Sequence, residues 1–131
     1  MKTFKTILAT LLLSVSVTAM AEPIANVEMK NHRINLYNES GVMFKSISDI
    51  NGEVVGYSEN FFITQKGNWI YLYNHEGKMY KTMSASLSGN VENVGNMTFS
   101  TKKGNVTSVY SMEGNLIYTI EKTETSNKIK I

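Results

Sequence analysis

His32 and His75 are the only two histidines of the chain and its only side chains that titrate near neutral pH unperturbed. Both fall in segments that read as turns, and they do not occupy matching places there. Hydrolytic chemistry would need two carboxyls aimed into one cleft at a fixed separation. Asp49 and Glu53 flank Asn51-Gly52, while Glu39, Glu76 and Glu113 each stand close before a glycine. An acid beside a turn glycine is what loop solvation and local hydrogen bonding use. A small hydrolase built on Asp49, Glu53 or His75 therefore ranks last among the functions considered, and no catalytic residue is expected. Two isolated histidines and no DxDxDG-type loop give no expected metal site, no cofactor is expected, and no serine stands in a GxSxG setting.

Aromatic side chains stand above this background. Phe61, Phe62, Trp69, Tyr71, Tyr73 and Tyr80 crowd one stretch. Rings on a flat strand face form a stacking platform for sugars or peptide side chains at low entropic cost, and Trp69, Tyr71 and Tyr73 are the candidate binding residues. The competing reading makes these rings the core of a small β domain.

The elements that carry these residues recur along the chain. Lys30 to Ser48, Lys66 to Ser84 and Lys103 to Glu121 align without gaps on Gly41, Gly77 and Gly114. Lys66-Gly67-Asn68 and Lys103-Gly104-Asn105 are turn chemistry, and Lys30-Asn31-His32 is their first-unit counterpart. Between the turns run β-branched and aromatic residues, as in Trp69 to Tyr73 and Val106 to Tyr110. Alternation puts Ile34, Leu36, Ile70, Leu72, Thr107 and Val109 on one face, the predicted core. Asn35, Tyr37, Tyr71, Tyr73, Ser108 and Tyr110 share the other, which is either a second packed layer or an exposed aromatic surface. No stretch shows helical spacing.

The expected fold is all-β: three tandem four-stranded meander units of about 36 residues packed as one domain, β-prism-like or blade-like. The units are approximately 26-52, 53-90 and 91-122, followed by a polar tail, 123-131. The alternating Lys and Ile at the end of the tail favour an edge strand.

Residues 1-21 read as a secretory signal peptide. Lys2 and Lys5 precede the apolar run Ile7 to Val17, and Ala19-Met20-Ala21 offers small residues for cleavage after Ala21. The run is shorter than the roughly 20 residues of a spanning helix, so no membrane span is expected after cleavage. Removing 21 of the 131 residues leaves 110, with Lys plus Arg and Asp plus Glu equal at 11 each. A neutral mature chain excludes an electrostatic nucleic-acid partner. The chain has no cysteine, so an exported fold must rely on packing and strand pairing without disulfides.

Gly67-Asn68, the aromatic strand and Gly77-Lys78 resemble the repeat of the monocot mannose-binding lectins, which are three-sheet β-prisms. Gln65 and Tyr73 keep the separation of that family's sugar-binding pattern, but Gly67, Trp69 and Tyr71 stand between them, and Met29 and Lys102 replace the Gln elsewhere. Mannose binding is therefore not implied. Tyr71 to Met79 resembles the tyrosine-aspartate repeats of bacterial shell proteins, with Asn74 for the Asp. Most of the 22-131 region is similar to small exported bacterial proteins of unknown function with lysine-glycine-asparagine hairpins. The expectation is a secreted or periplasmic, non-catalytic binding or structural module whose partner is an envelope protein, through strand edges and the Tyr face. The alternative is a carbohydrate-binding module using Trp69, Tyr71 and Tyr73.

Overall fold

The computed structural model describes residues 22-123 and the backbone of Asn127–Lys130. The signal-peptide reading falls on 1-21, outside the described residues. The described chain is almost wholly β-strand, as its composition and turns predict. A first antiparallel sheet holds β1 (Asn26–Lys30), β2 (Arg33–Tyr37) and β3 (Met43–Ser48). A second holds β4 (Glu53–Tyr57), β5 (Phe61–Lys66), β6 (Trp69–Asn74) and β7 (Met79–Ser84). The third holds β8 (Asn90–Val94), β9 (Thr98–Lys103), β10 (Val106–Ser111), β11 (Leu116–Lys122) and β12 (Asn127–Lys130). Each sheet is a meander in sequence order, and none is closed into a barrel. The tail pairs along β11 as an edge strand.

Turn chemistry sets the hairpins. Lys66 pairs with Trp69 and Lys103 with Val106 across two-residue loops. Gly67 and Gly104 take φ of 58° and 63°, a positive first position that glycine adopts at little cost. In the first sheet, Asn31 and His32 both go positive, at 53° and 64°; that sign pattern is type I′, which Asn tolerates. At the opposite end of the hairpins, the Asn38 side-chain oxygen accepts from the amides of Ser40 and Val42, and that of Asn74 from Glu76 and Lys78. Each of these turns then closes at a glycine. A register shift follows in every sheet, at Leu36/Tyr37, Leu72/Tyr73 and Val109/Tyr110, twisting β3, β7 and β11.

One short helical turn, α1 (Ala85–Ser88), appears where no helix was expected. It is too short to show a 3.6-residue period in the sequence. It ends at Gly89, φ 97°, where a Cβ would lie 2.5 Å from the Lys102 carbonyl oxygen.

The core is split in two. Ile24, Ile34 and Leu36 of the N-terminal part pack on Phe62 and Tyr73 of the second sheet. Phe61, Ile63, Ile70 and Leu72, from that sheet's opposite face, pack on Phe99 of the third. The second sheet thus lies between the other two, apolar on both sides. A prism would bring three sheets around one shared core; two separate cores make this a stack of blade-like sheets. The sheets approach most closely along the side formed by β1, β4 and β8. A Cβ on Gly56 of β4 would sit 2.3 Å from Val94 of β8, so only glycine fits there. Farther out, long side chains span the gap: Lys81 Nζ donates to the Gly114 carbonyl at 2.9 Å, and the Tyr80 hydroxyl donates to the Met112 carbonyl.

Candidate functional site

Trp69, Tyr71 and Tyr73 share one face of β6, as alternation predicts, but the first sheet covers that face. Tyr73 is 4% exposed and stacks on Phe62 at 4.6 Å and 6°. Its hydroxyl accepts from Asn51 Nδ2 at 2.9 Å. Tyr71 packs against the same cluster, and only Trp69, at the strand end, stands half in solvent, 48% exposed. The three rings therefore offer no continuous exposed platform. In the third sheet Tyr110 stacks on Phe99 at 5.2 Å and 13°. In the second and third sheets, then, the Tyr face is a packed layer.

Of the ionisable candidates, His32 and Asp49 meet at an exposed turn, while Glu53 and His75 stand apart. His32 Nδ1 lies 3.4 Å from Asp49 Oδ2, with the His32 side chain 93% exposed. Glu53 is exposed and opposes Gln65, which opposes Ile70; His75 lies five residues beyond Ile70, past the end of β6. At about 3.3 Å per strand residue, Glu53 and His75 sit roughly 16 Å apart along the sheet. Among the described residues, no three of His, Cys, Asp and Glu gather as a metal would require. No described helix is long and apolar enough to cross a membrane.

The two outer faces of the stack are less apolar than the inner ones. On the first sheet, Asn26, Glu28, Arg33 and Asn35 occupy the places that Phe62, Thr64, Trp69 and Tyr71 hold in the second. They form a hydrogen-bonded surface. The Tyr37 hydroxyl donates to Glu28 Oε1 at 2.7 Å, Asn35 Nδ2 donates to the same oxygen at 3.4 Å, and Ser46 Oγ donates to Asn35 Oδ1 at 2.7 Å. Arg33 closes the set with bonds to the Ser46 hydroxyl and carbonyl. The Tyr37 hydroxyl, then Asn35, hold the Glu28 carboxyl below its ordinary pKa, and the carboxylate in turn raises that of Tyr37. On the third sheet, Ser100, Thr107 and Lys122 stand where the second has Ile63, Ile70 and Ala85. Polar terminal faces are what a stack of like sheets needs to stop growing.

One backbone edge differs from its counterparts. β5 and β9 are each flanked on both sides, by β4 and β6 and by β8 and β10. β1, at the corresponding place in the first sheet, pairs among the described residues with β2 alone. One period before β4 lie residues 17-21, outside the described residues. In a two-residue hairpin the closing pair, here Lys30 and Arg33, exchanges both hydrogen bonds. Alternation then turns Asn26, Glu28 and Lys30 toward β2, and leaves the backbone groups of Val27 and Met29 facing the open side. Beside that side stands Tyr57 of β4, 38% exposed, its hydroxyl 3.3 Å from Asn26 Oδ1. A groove of about 630 Å³ runs past Ala25 to Glu28 and on to Glu39 and Gly41.

Sequence reasoning gave no functional role to Val27, Glu28 or Met29. Counting back one period from β4 into the presumed leader would have pointed to them, as would Glu28 at the place of two buried threonines, Thr64 and Thr101. Comparison with family models, curated proteins and solved structures returned no match to the chain.

Proposed function

We propose that this protein is an exported, non-catalytic interaction module that engages a protein of the cell envelope or its surroundings through an exposed strand edge. The observation that carries the reading is the side of β1 with which no described strand pairs, next to two sheets in which the same strand is flanked on both sides. Unpaired strand edges bind other chains readily, through main-chain hydrogen bonds that need no catalytic group. The export half of the reading rests on the tripartite character of residues 1-21. The near-equivalence of the three sheets supports a scaffold whose functional element lies where the first sheet departs from the other two. The carbohydrate reading retains only Trp69 as an exposed ring.

The test is site-specific photocrosslinking in the exporting cell. A benzophenone amino acid replaces Lys30 on β1 or, as control, Leu87, which is 81% exposed on α1. A discrete protein adduct at position 30 and none at 87 is expected. Equal yields at both sites, or none at either, would sink the interaction reading.

A further inference from the structure

We propose that the open side of β1 accepts an extended strand from a partner protein, antiparallel to β1, carrying a lysine or arginine opposite Glu28. This rests on the interaction reading above and names the chemistry of the partner at that same edge.

The second and third sheets show what such a strand looks like when it is present. β4 runs antiparallel to β5 with Val54 opposite Thr64, and β8 to β9 with Val91 opposite Thr101. Both threonines are fully buried and donate to a carbonyl two residues before the added strand, Thr64 to Asn51 at 2.8 Å and Thr101 to Ser88 at 2.6 Å. In the first sheet the same place holds Glu28. A carboxylate cannot donate to such a carbonyl, so a strand lying there must bring a donor of its own.

The geometry favours a cation. Because Glu28 turns its own backbone toward β2, it would form a non-hydrogen-bonded pair with an incoming residue. In such pairs Cα atoms stand about 4.5 Å apart and side chains come closest. Glu28 lines the groove, both hydrogen bonds to its carboxylate fall on Oε1, and Lys30 on the same strand already acts on its charge. Glu39 lines the same groove. Val27 and Met29 supply the backbone donors and acceptors, and the exposed Tyr57 supplies apolar contact where Val94 meets Gly56 in the neighbouring pair of sheets.

The test uses the protein purified from exporting cells and three probes patterned on β4: GEVVGYS, and the same peptide with lysine or aspartate in place of the first valine, which lies opposite Glu28. Titrations to about 5 mM are followed by amide chemical shifts. All binding probes should shift Val27 and Met29. An exposed ion pair is worth enough to make the lysine peptide roughly twofold to fivefold tighter than the valine peptide. Glu28→Gln should erase that preference while leaving backbone-driven binding, and N-methylation of the amides facing β1 should abolish binding by every probe. Absence of shifts at Val27 and Met29 overturns the strand slot. Equal affinity for the lysine and aspartate peptides overturns the basic partner. A dimer that dissociates when residues 127-131 are deleted makes the occupant a second copy, and overturns the foreign strand. An adduct at position 30 alongside failed peptide binding would leave the interaction reading standing and remove only this inference.

Discussion

Alanine at Gly114 should cost more than alanine at Gly41, and a lysine on the neighbouring sheet should account for the difference. The turn glycines Gly41, Gly77 and Gly114 have φ of 80°, 82° and 90°, so a Cβ carries a left-handed penalty of about 1–2 kcal/mol at each. Their surroundings differ. A Cβ at Gly41 meets nothing within 4 Å, one at Gly77 lies 3.1 Å from Lys45 Cγ, and one at Gly114 lies 2.5 Å from Lys81 Cδ. The Lys81 stem must therefore move in G114A, giving up its 2.9 Å bond to the Gly114 carbonyl, a further loss of about 1 kcal/mol. Urea titrations followed by Trp69 fluorescence should rank G41A and G77A at about 1–2 kcal/mol and G114A at about 2–3 kcal/mol. In a Lys81→Ala background, G114A should return to the G41A value, a coupling of about 1 kcal/mol. Equal losses at all three glycines, or no coupling to Lys81, would refute the stacking of the second sheet on the third.

Truncation at one register position should give a graded series: Leu36→Ala and Leu72→Ala, both fully buried, about 2–5 kcal/mol each, and Val109→Ala, on the uncovered outer face, about 1 kcal/mol or less, read as urea midpoints. Burial, then the charge of Glu113, pushes the Tyr80 hydroxyl up to about 12. A folded pKa above the unfolded one favours the protonated form, so this contribution is whole below pH 10 and fades as pH rises from 10 to 12. Thermal melts should show Tyr80→Phe losing less stability than the parent chain over that window; parallel profiles would contradict the assignment. A glycan array should give no binding that Trp69→Ala removes; a hit lost in that variant would favour the carbohydrate alternative.

Much of the architecture was legible because turn chemistry is local. Gly67 and Gly104, and the aligned glycines at 41, 77 and 114, fixed the hairpins, and β-branched and aromatic runs fixed the strands between them. What the strand pattern could not resolve is which of two apolar faces is covered. Ile70 and Leu72 alternate with Tyr71 and Tyr73, and both sets are apolar because the second sheet has a neighbour on each side. Alternation placed the candidate residues Trp69, Tyr71 and Tyr73 on one face but could not tell that Tyr73 of that face is buried against Phe62. The candidate edge was hidden for a different reason. Pairing is a property of two strands, and the singular feature of β1 is the described neighbour it lacks, not any residue it contains.

Amide hydrogen exchange compares the three sheets most directly, position by position. Val27 and Met29 of β1 correspond to Ile63 and Gln65 of β5 and to Ser100 and Lys102 of β9. In the protein alone, Val27 and Met29 should exchange close to unstructured rates, while the other four are protected by their bonds to β4 and β8. Protection of Val27 and Met29 equal to that of Ile63 would mean the edge is already occupied, and would contradict the proposed interaction site.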